Sequence, residues 1–220
     1  MELQEAVRNR RSIRSFLSKP VPEELIQALI AESRWAPSWG NTQPWEIVVA
    51  TGTLLERFKK ENKEAILSDR PSDPEVPMPQ DWPDALKKRY KDLGKRVFRS
   101  LALERTDIEG RRRHFGRMFF LFDAPALILM TIHKGLSIEY SMLDIGLFLQ
   151  TFCLLAFDEG LGTCIMAAAV RYPEIAHKIF SIPETKRLVI GVALGWPDPD
   201  APVNRFERER RNIDEFLCWA

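Results

Sequence analysis

Four stretches of the chain carry residue types at spacings that could do chemistry. The first is Arg10-Arg11-Ser12-Ile13-Arg14-Ser15-Phe16. If it is extended, alternation puts Arg10, Ser12 and Arg14 on one side. Two guanidinium forks and a hydroxyl on one side suit a phosphate monoester, because Arg donates in bidentate fashion to phosphate oxygens. A solvated basic turn after a helix would look the same. The second stretch is Ala36-Pro37-Ser38-Trp39-Gly40-Asn41-Thr42-Gln43-Pro44-Trp45. Here a rigid turn carries hydroxyl and amide groups between two Trp rings. Amides offer paired donors and acceptors to a planar heterocycle. The alternative is a helix stop followed by a strand start.

The third stretch, Leu161 to Ala169 (LGTCIMAAA), is small and uncharged. Small residues let a backbone approach a ligand closely, although a buried strand reads the same way. The fourth is the tail from Arg205 to Arg211, where Arg alternates with Glu207 and Glu209. It is either a second anion contact or a solvated charge run.

Other chemistries find little support. Cys164 has no His near it in sequence, and a buried free Cys is commonly inert. His114, His133 and His177 are far apart and lack metal-ligand spacing. No GxGxxG, GxxxxGK[ST] or GxSxG string occurs. Asp144 reads as a capping or paired carboxylate, and His133 as the end of an apolar strand.

The chain has 220 residues, with 32 Lys plus Arg against 31 Asp plus Glu, a net charge of +1. That balance argues against a nucleic-acid binder. The length suits one sizeable core. Three Cys with no CxxC pair argue against a disulfide framework and a zinc knuckle. The charged start MELQEAVRNR is no signal peptide, and the uncharged run Ile145 to Phe157 is too short to span a bilayer. The expectation is a cytoplasmic protein with no membrane or nucleic-acid partner and no metal. Cations crowded at both chain ends, in a neutral whole, point to one small local anion.

The elements that must position these groups follow from periodicity. Helices are predicted over 2–9, 23–35, 53–68, 84–102, 107–119, 137–158 and 173–180. Strands are predicted over 45–50, 125–133 and 188–194. Five prolines between 70 and 84 predict an exposed irregular loop, and a polar extension starts at about 197. Three strands separated by helices imply a single α/β or α+β domain spanning 1–220.

In their order, the four stretches resemble the FMN-dependent nitroreductase family, in particular its nitrobenzoate-reductase-like branch. The residues carrying the likeness are RRSIRSF at 10–16, APSWGNTQPWEIVVATG at 36–52, GLGTC at 160–164 and NRFERERRNIDEF at 204–216. SMLDIGLFLQTFCLLA at 141–156 is similar to the family's central helix. The likeness spans the whole chain and is weakest from about 57 to 105.

The resemblance implies an α+β, three-layer α/β/α fold with a mixed central sheet, built as an intertwined homodimer with FMN at the interface. It places Arg10, Arg11, Ser12 and Arg14 on the FMN phosphate and ribityl chain. Pro37, Ser38, Trp39 and Asn41 would reach FMN from the other subunit, with Trp39 and Asn41 lining the substrate pocket. Ile165, Met166, Ala167 and Ala168 would lie against the flavin ring. Arg210, and also Arg208, would join the phosphate, and Gln150 matches a family glutamine. This chain departs from many relatives in having Ala167 or Ala168 where they have Gly, Asn212 where they have Pro, and the bulkier Trp39.

The activity implied is ping-pong reduction of nitroaromatics, quinones or similar small acceptors by NAD(P)H. The flavin N5 would carry the hydride, and no amino-acid nucleophile would be needed. Same-fold flavoenzymes with dehalogenating or oxidative chemistry are the alternative. A non-enzymatic module that binds polyanions is the distant one.

Overall fold

The run Ala126–His133 is buried at every position but its last, and it forms the spine of the sheet. The computed structural model describes residues 2–220. In chain order the elements are α1 (Leu3–Asn9), α2 (Glu23–Ser33), β1 (Glu46–Thr51), α3 (Gly52–Leu67), α4 (Asp84–Ser100) and α5 (Ile108–Phe119). They continue with β2 (Ala126–His133), α6 (Ile138–Asp158), β3 (Gly162–Met166), α7 (Pro173–Phe180) and β4 (Lys186–Gly195). The predicted helices and strands fall within a few residues of these bounds. β3 is additional, and it realises the buried-strand reading of the small-residue stretch.

The strand order is β1-β2-β4-β3, and every neighbouring pair is antiparallel. This corrects the expected mixed sheet. β2 and β3 run in the same direction across the α6 crossover, but β4 slots between them. The isolated bridge from Ser12 to Thr163 is parallel. It lays the arginine-rich segment beside β3.

Alternation along β2 feeds two cores. Leu127 and Leu129 face a layer containing Phe58, Phe119 and Ile175, from α3, α5 and α7. Ala126, Ile128 and Met130 face Ile26, Phe148 and Phe152, from α2 and α6. The three-layer arrangement follows.

α6 is long and apolar enough, by length and composition, to cross a membrane. Ile145, Phe148 and Phe152 are nevertheless packed in the core, and Asp144 is buried and hydrogen-bonded. Its opposite face leaves Met142, Leu143 and Leu147 exposed.

The proline-rich loop has no helix or strand from 70 to 83, as expected, but it is pinned rather than free. Glu75 accepts the Leu188 backbone N–H at 2.6 Å and pairs with Lys134 at 3.0 Å and His177 at 3.2 Å. Tyr172 donates its hydroxyl to the Arg70 carbonyl at 3.1 Å.

Candidate functional site

The extended segment from Arg10 to Phe16 is held along the sheet by backbone bonds. Ile13 N–H donates to the Thr163 carbonyl at 2.9 Å, and Leu17 N–H to that of Trp196 at 2.9 Å. Gly162 makes this approach possible. A Cβ there would sit 2.5 Å from Ile13 Cγ1. Alternation then separates the side chains as the spacing predicts. Arg11 turns to the tail and donates to the carbonyls of Asn204 at 2.7 Å and Phe206 at 3.3 Å. Arg10, Ser12 and Arg14 turn to the other side, where Cys153 and Cys164 lie. Burial pushes both thiols up, more strongly than the nearby guanidinium groups pull them down. Neither is a ready nucleophile.

The tail closes on this segment from the far end of the chain. Asn204 is buried; its Oδ1 accepts the Arg14 N–H, and its Nδ2 donates to the carbonyls of Ser15 and Asp198. Arg208 donates to the carbonyls of Arg8 and Arg10. Burial, and then the charges of Arg11, Arg210 and Arg10, lower the pKa of Arg208. The Arg14 guanidinium lies 5.8 Å from the Phe206 ring centre.

Among the described residues, Arg10, Arg11, Arg14 and Arg208 pair with no carboxylate. Arg10 Nε and Arg208 Nε are buried without a hydrogen-bond partner. Crowded cations with unpaired donors repel one another until an anion arrives. A phosphate dianion fits this donor set. The site lies beside a pocket of about 360 Å³ lined by Arg10, Arg11, Thr163 and Asn204 among others.

The other expected residues are distributed differently. Met166 and Ala168 are buried, Ala167 is half-buried and Ile165 is exposed. Asn62 fixes this segment by donating to the Ala168 carbonyl at 3.1 Å and to that of Phe119 at 2.8 Å. Arg210 is exposed and donates to the Glu209 carbonyl. Gln150 is exposed on the outer face of α6.

The Pro37–Asn41 loop does not join the arginine cluster within one chain. Its tie is to the start of α6, where Asp144 Oδ1 accepts the Trp39 N–H at 3.0 Å. Cys153, which faces the cluster, is nine residues further along α6, roughly 13 Å at 1.5 Å per residue. Gly40, Asn41 and Gln43 all have positive φ. The loop is braced by Gln43 N–H donating to Ser38 Oγ at 2.9 Å and Gln43 Nε2 donating to Asn41. Pro37, Trp39 and Asn41 are exposed.

Sequence reasoning missed Asn204, Asn62, Tyr140 and His114 as supporting groups. Tyr140 packs against Trp39 with its ring tilted, the ring centres 4.5 Å apart. His114 on α5 sits between Phe98 and Phe122. Burial, with the charges of Arg14 and Arg117, pushes it down to about 4. Asn204 lay inside a quoted motif, but only the fold reveals its partners.

Comparison with known proteins gives the family and the fold. The nitroreductase family profile matches residues 7–196. The chain is 34% identical to 4-nitrobenzoate reductase of Pseudomonas putida, over 96% of this chain and 92% of that protein. It is 31% identical to nitrobenzene nitroreductase of Ectopseudomonas oleovorans, over 99% and 96% respectively. An FMN and NADPH-dependent nitroreductase from Sphigopyxis sp. strain HMH superposes with a TM-score of 0.95 at 28% identity, covering 100% of this chain and 99% of that one.

Proposed function

Because the chain belongs to the nitroreductase family, we propose that it is an FMN-dependent oxidoreductase that uses NAD(P)H to reduce nitroaromatic compounds. The observation that carries this reading is the arginine cluster: guanidinium groups without carboxylates, two of them with a buried, unpaired Nε. When bound, FMN supplies the two-electron hydride chemistry. The chain supplies the rest. Arg10, Ser12 and Arg208 hold the phosphate, with Arg210 in electrostatic reach of Arg208. Arg11 is spent on the Asn204 and Phe206 carbonyls and braces the segment. Arg14 extends the cationic side of the site towards the ring and favours negative charge there. The backbone of residues 165–168, fixed by Asn62, forms the wall against the ring.

The finer reading is a homodimer. Met142, Leu143 and Leu147 on α6, and Ile213, Phe216, Leu217 and Trp219 in the tail, are large apolar side chains left exposed in the single chain, as at an interface with a partner. Pairing through α6 would carry Pro37, Ser38, Trp39 and Asn41, with Gln150, to the partner's arginine cluster. That resolves their separation within one chain. The likeness to an NADPH-dependent enzyme favours NADPH as donor.

Reconstitution tests this directly. The purified protein should bind about one FMN per chain, sediment as a dimer, and oxidise NADPH on addition of nitrobenzoate or nitrobenzene. A protein that takes up no FMN, or reduced holoprotein that no nitroaromatic reoxidises, would refute it.

A further inference from the structure

Trp39 and Tyr140 form an exposed aromatic pair that lies apart from the arginine cluster of its own chain. Their ring centres are 4.5 Å apart and the planes are inclined by 56°. Trp39 is 63% exposed and Tyr140 53% exposed. Neither the indole N–H nor the phenol hydroxyl makes a hydrogen bond among the described residues, so ring contact alone couples them. Tyr140 lies one turn before Asp144 on α6, and residues i and i+4 share a helix face. Asp144 therefore grips the Trp39 backbone while Tyr140 grips its ring. The preceding Ser38 and following Asn41 are braced through Gln43. An exposed Trp would ordinarily sample several rotamers. This one is fixed at both ends by a single turn of a core helix.

We propose that Tyr140 is a positioning residue that sets the Trp39 indole as the acceptor-facing wall of the site, and thereby sets the preference for flat aromatic acceptors. The proposal rests on the functional reading above. A fixed ring offers a stacking surface without an ordering cost at binding. The Tyr140 ring acts only through Trp39, so losing it should matter only while Trp39 is present.

The test uses the FMN-loaded protein and the variants Tyr140→Leu, Tyr140→Phe, Trp39→Leu and Tyr140→Leu/Trp39→Leu. Benzoate, a flat aromatic that cannot be reduced, is titrated against the absorbance of the bound flavin, and kcat and KM are measured with 4-nitrobenzoate. Tyr140→Leu should weaken benzoate binding and raise KM by about 3- to 10-fold, the range of an aromatic pair, and change kcat less than about twofold. Tyr140→Phe should behave as the parent, and the double variant should be no weaker than Trp39→Leu alone. Unchanged benzoate affinity in Tyr140→Leu, no recovery with Phe, or losses that multiply in the double variant would each overturn the proposal. If the parent binds FMN and NADPH reduces it while the variants bind benzoate normally, only this inference falls. If the parent takes up no FMN, the functional reading falls with it.

Discussion

The Asn204 side chain accepts the backbone N–H of Arg14 at 2.8 Å across 190 residues of sequence. Through that amide the two arginine-rich ends of the chain become one site. Asn204 also donates to the Ser15 and Asp198 carbonyls, and its own carbonyl accepts Arg11. Asn204→Ala leaves the Arg14 N–H and the Asp198 carbonyl without partners, while the Ser15 carbonyl keeps the Asp198 N–H. The expected loss of stability is about 2–4 kcal/mol, since each unpaired buried group costs roughly 1–3 kcal/mol. FMN affinity should fall as well, because the backbone at Arg14 loses its tie to the tail. Urea unfolding of the apoprotein and fluorimetric FMN titration read the two effects separately. A variant with parental stability would show that the Asn204 bonds contribute nothing net.

His114 gives the fold a pH dependence whose sign follows from its burial. Its folded value is about 4, against an ordinary value of 6.5. As pH falls through 6.5 the unfolded ring takes a proton, and the folded ring does not until about pH 4. Over that window the unfolded state binds more protons, so stability drops with pH and levels off below 4. The ring retains some contact with water, so the shift is discounted to about 2 kcal/mol of pH-dependent stability. His114→Phe preserves the ring contacts with Phe98 and Phe122. It should lose about 2 kcal/mol less than the parent between pH 7.5 and 4.5, as measured by urea midpoints. Parallel pH curves for parent and variant would rule His114 out as the source.

Much of this was readable in advance, for physical reasons. The apolar and β-branched runs dictate helices and strands locally, so element bounds fell close to expectation. Alternation dictates which side chains share a face of an extended segment, so Arg10, Ser12 and Arg14 were separable from Arg11. Strand order was not readable, because the β4 run carries no mark of the two strands it will lie between. β3 is short and made of small residues, and its pattern was equally that of a packing segment. The Asp144 contact with Trp39 and the approach of Arg14 to His114 join distant stretches, and no local spacing encodes them. Gln150 and Arg210 rested on the family likeness alone, and both lie on the outside of the single chain.

One carboxylate, Glu75, ties the middle of the proline-rich loop to Leu188, Lys134 and His177. Burial alone would raise Glu75, but the Leu188 N–H, Lys134 and His177 outweigh it and hold the carboxyl below its ordinary 4.5. A depressed folded value means that this support is complete above pH 4.5 and is lost as pH falls through the folded value. Glu75→Gln keeps an acceptor for Leu188 but removes the charge that holds Lys134 and His177. The variant should lose roughly 1.5–3 kcal/mol at pH 7, the range for bonds to a charged group. Protease cleavage within residues 70–83 should also become faster at pH 7. If cleavage is unchanged, the loop is held by its other contacts.

Gly162 tests whether close packing of the arginine segment on β3 matters to the cofactor. A Cβ there would meet Ile13 Cγ1 at 2.5 Å and Pro197 Cγ at 2.9 Å, closer than real contacts allow. Ile13 lies between Ser12 and Arg14, so any retreat moves both of these cofactor-facing residues with it. Gly162→Ala should cost about 1–3 kcal/mol through overpacking. FMN affinity should fall by about tenfold, the effect of some 1.4 kcal/mol lost from displaced charge-assisted contacts. Gly94→Ala is the matched control. It adds the same methyl to a helix interior with nothing within 4 Å, and should stabilise by roughly 0.5–1 kcal/mol on propensity alone. If the two substitutions leave FMN affinity equally intact, the segment does not need its contact with β3 to hold the phosphate.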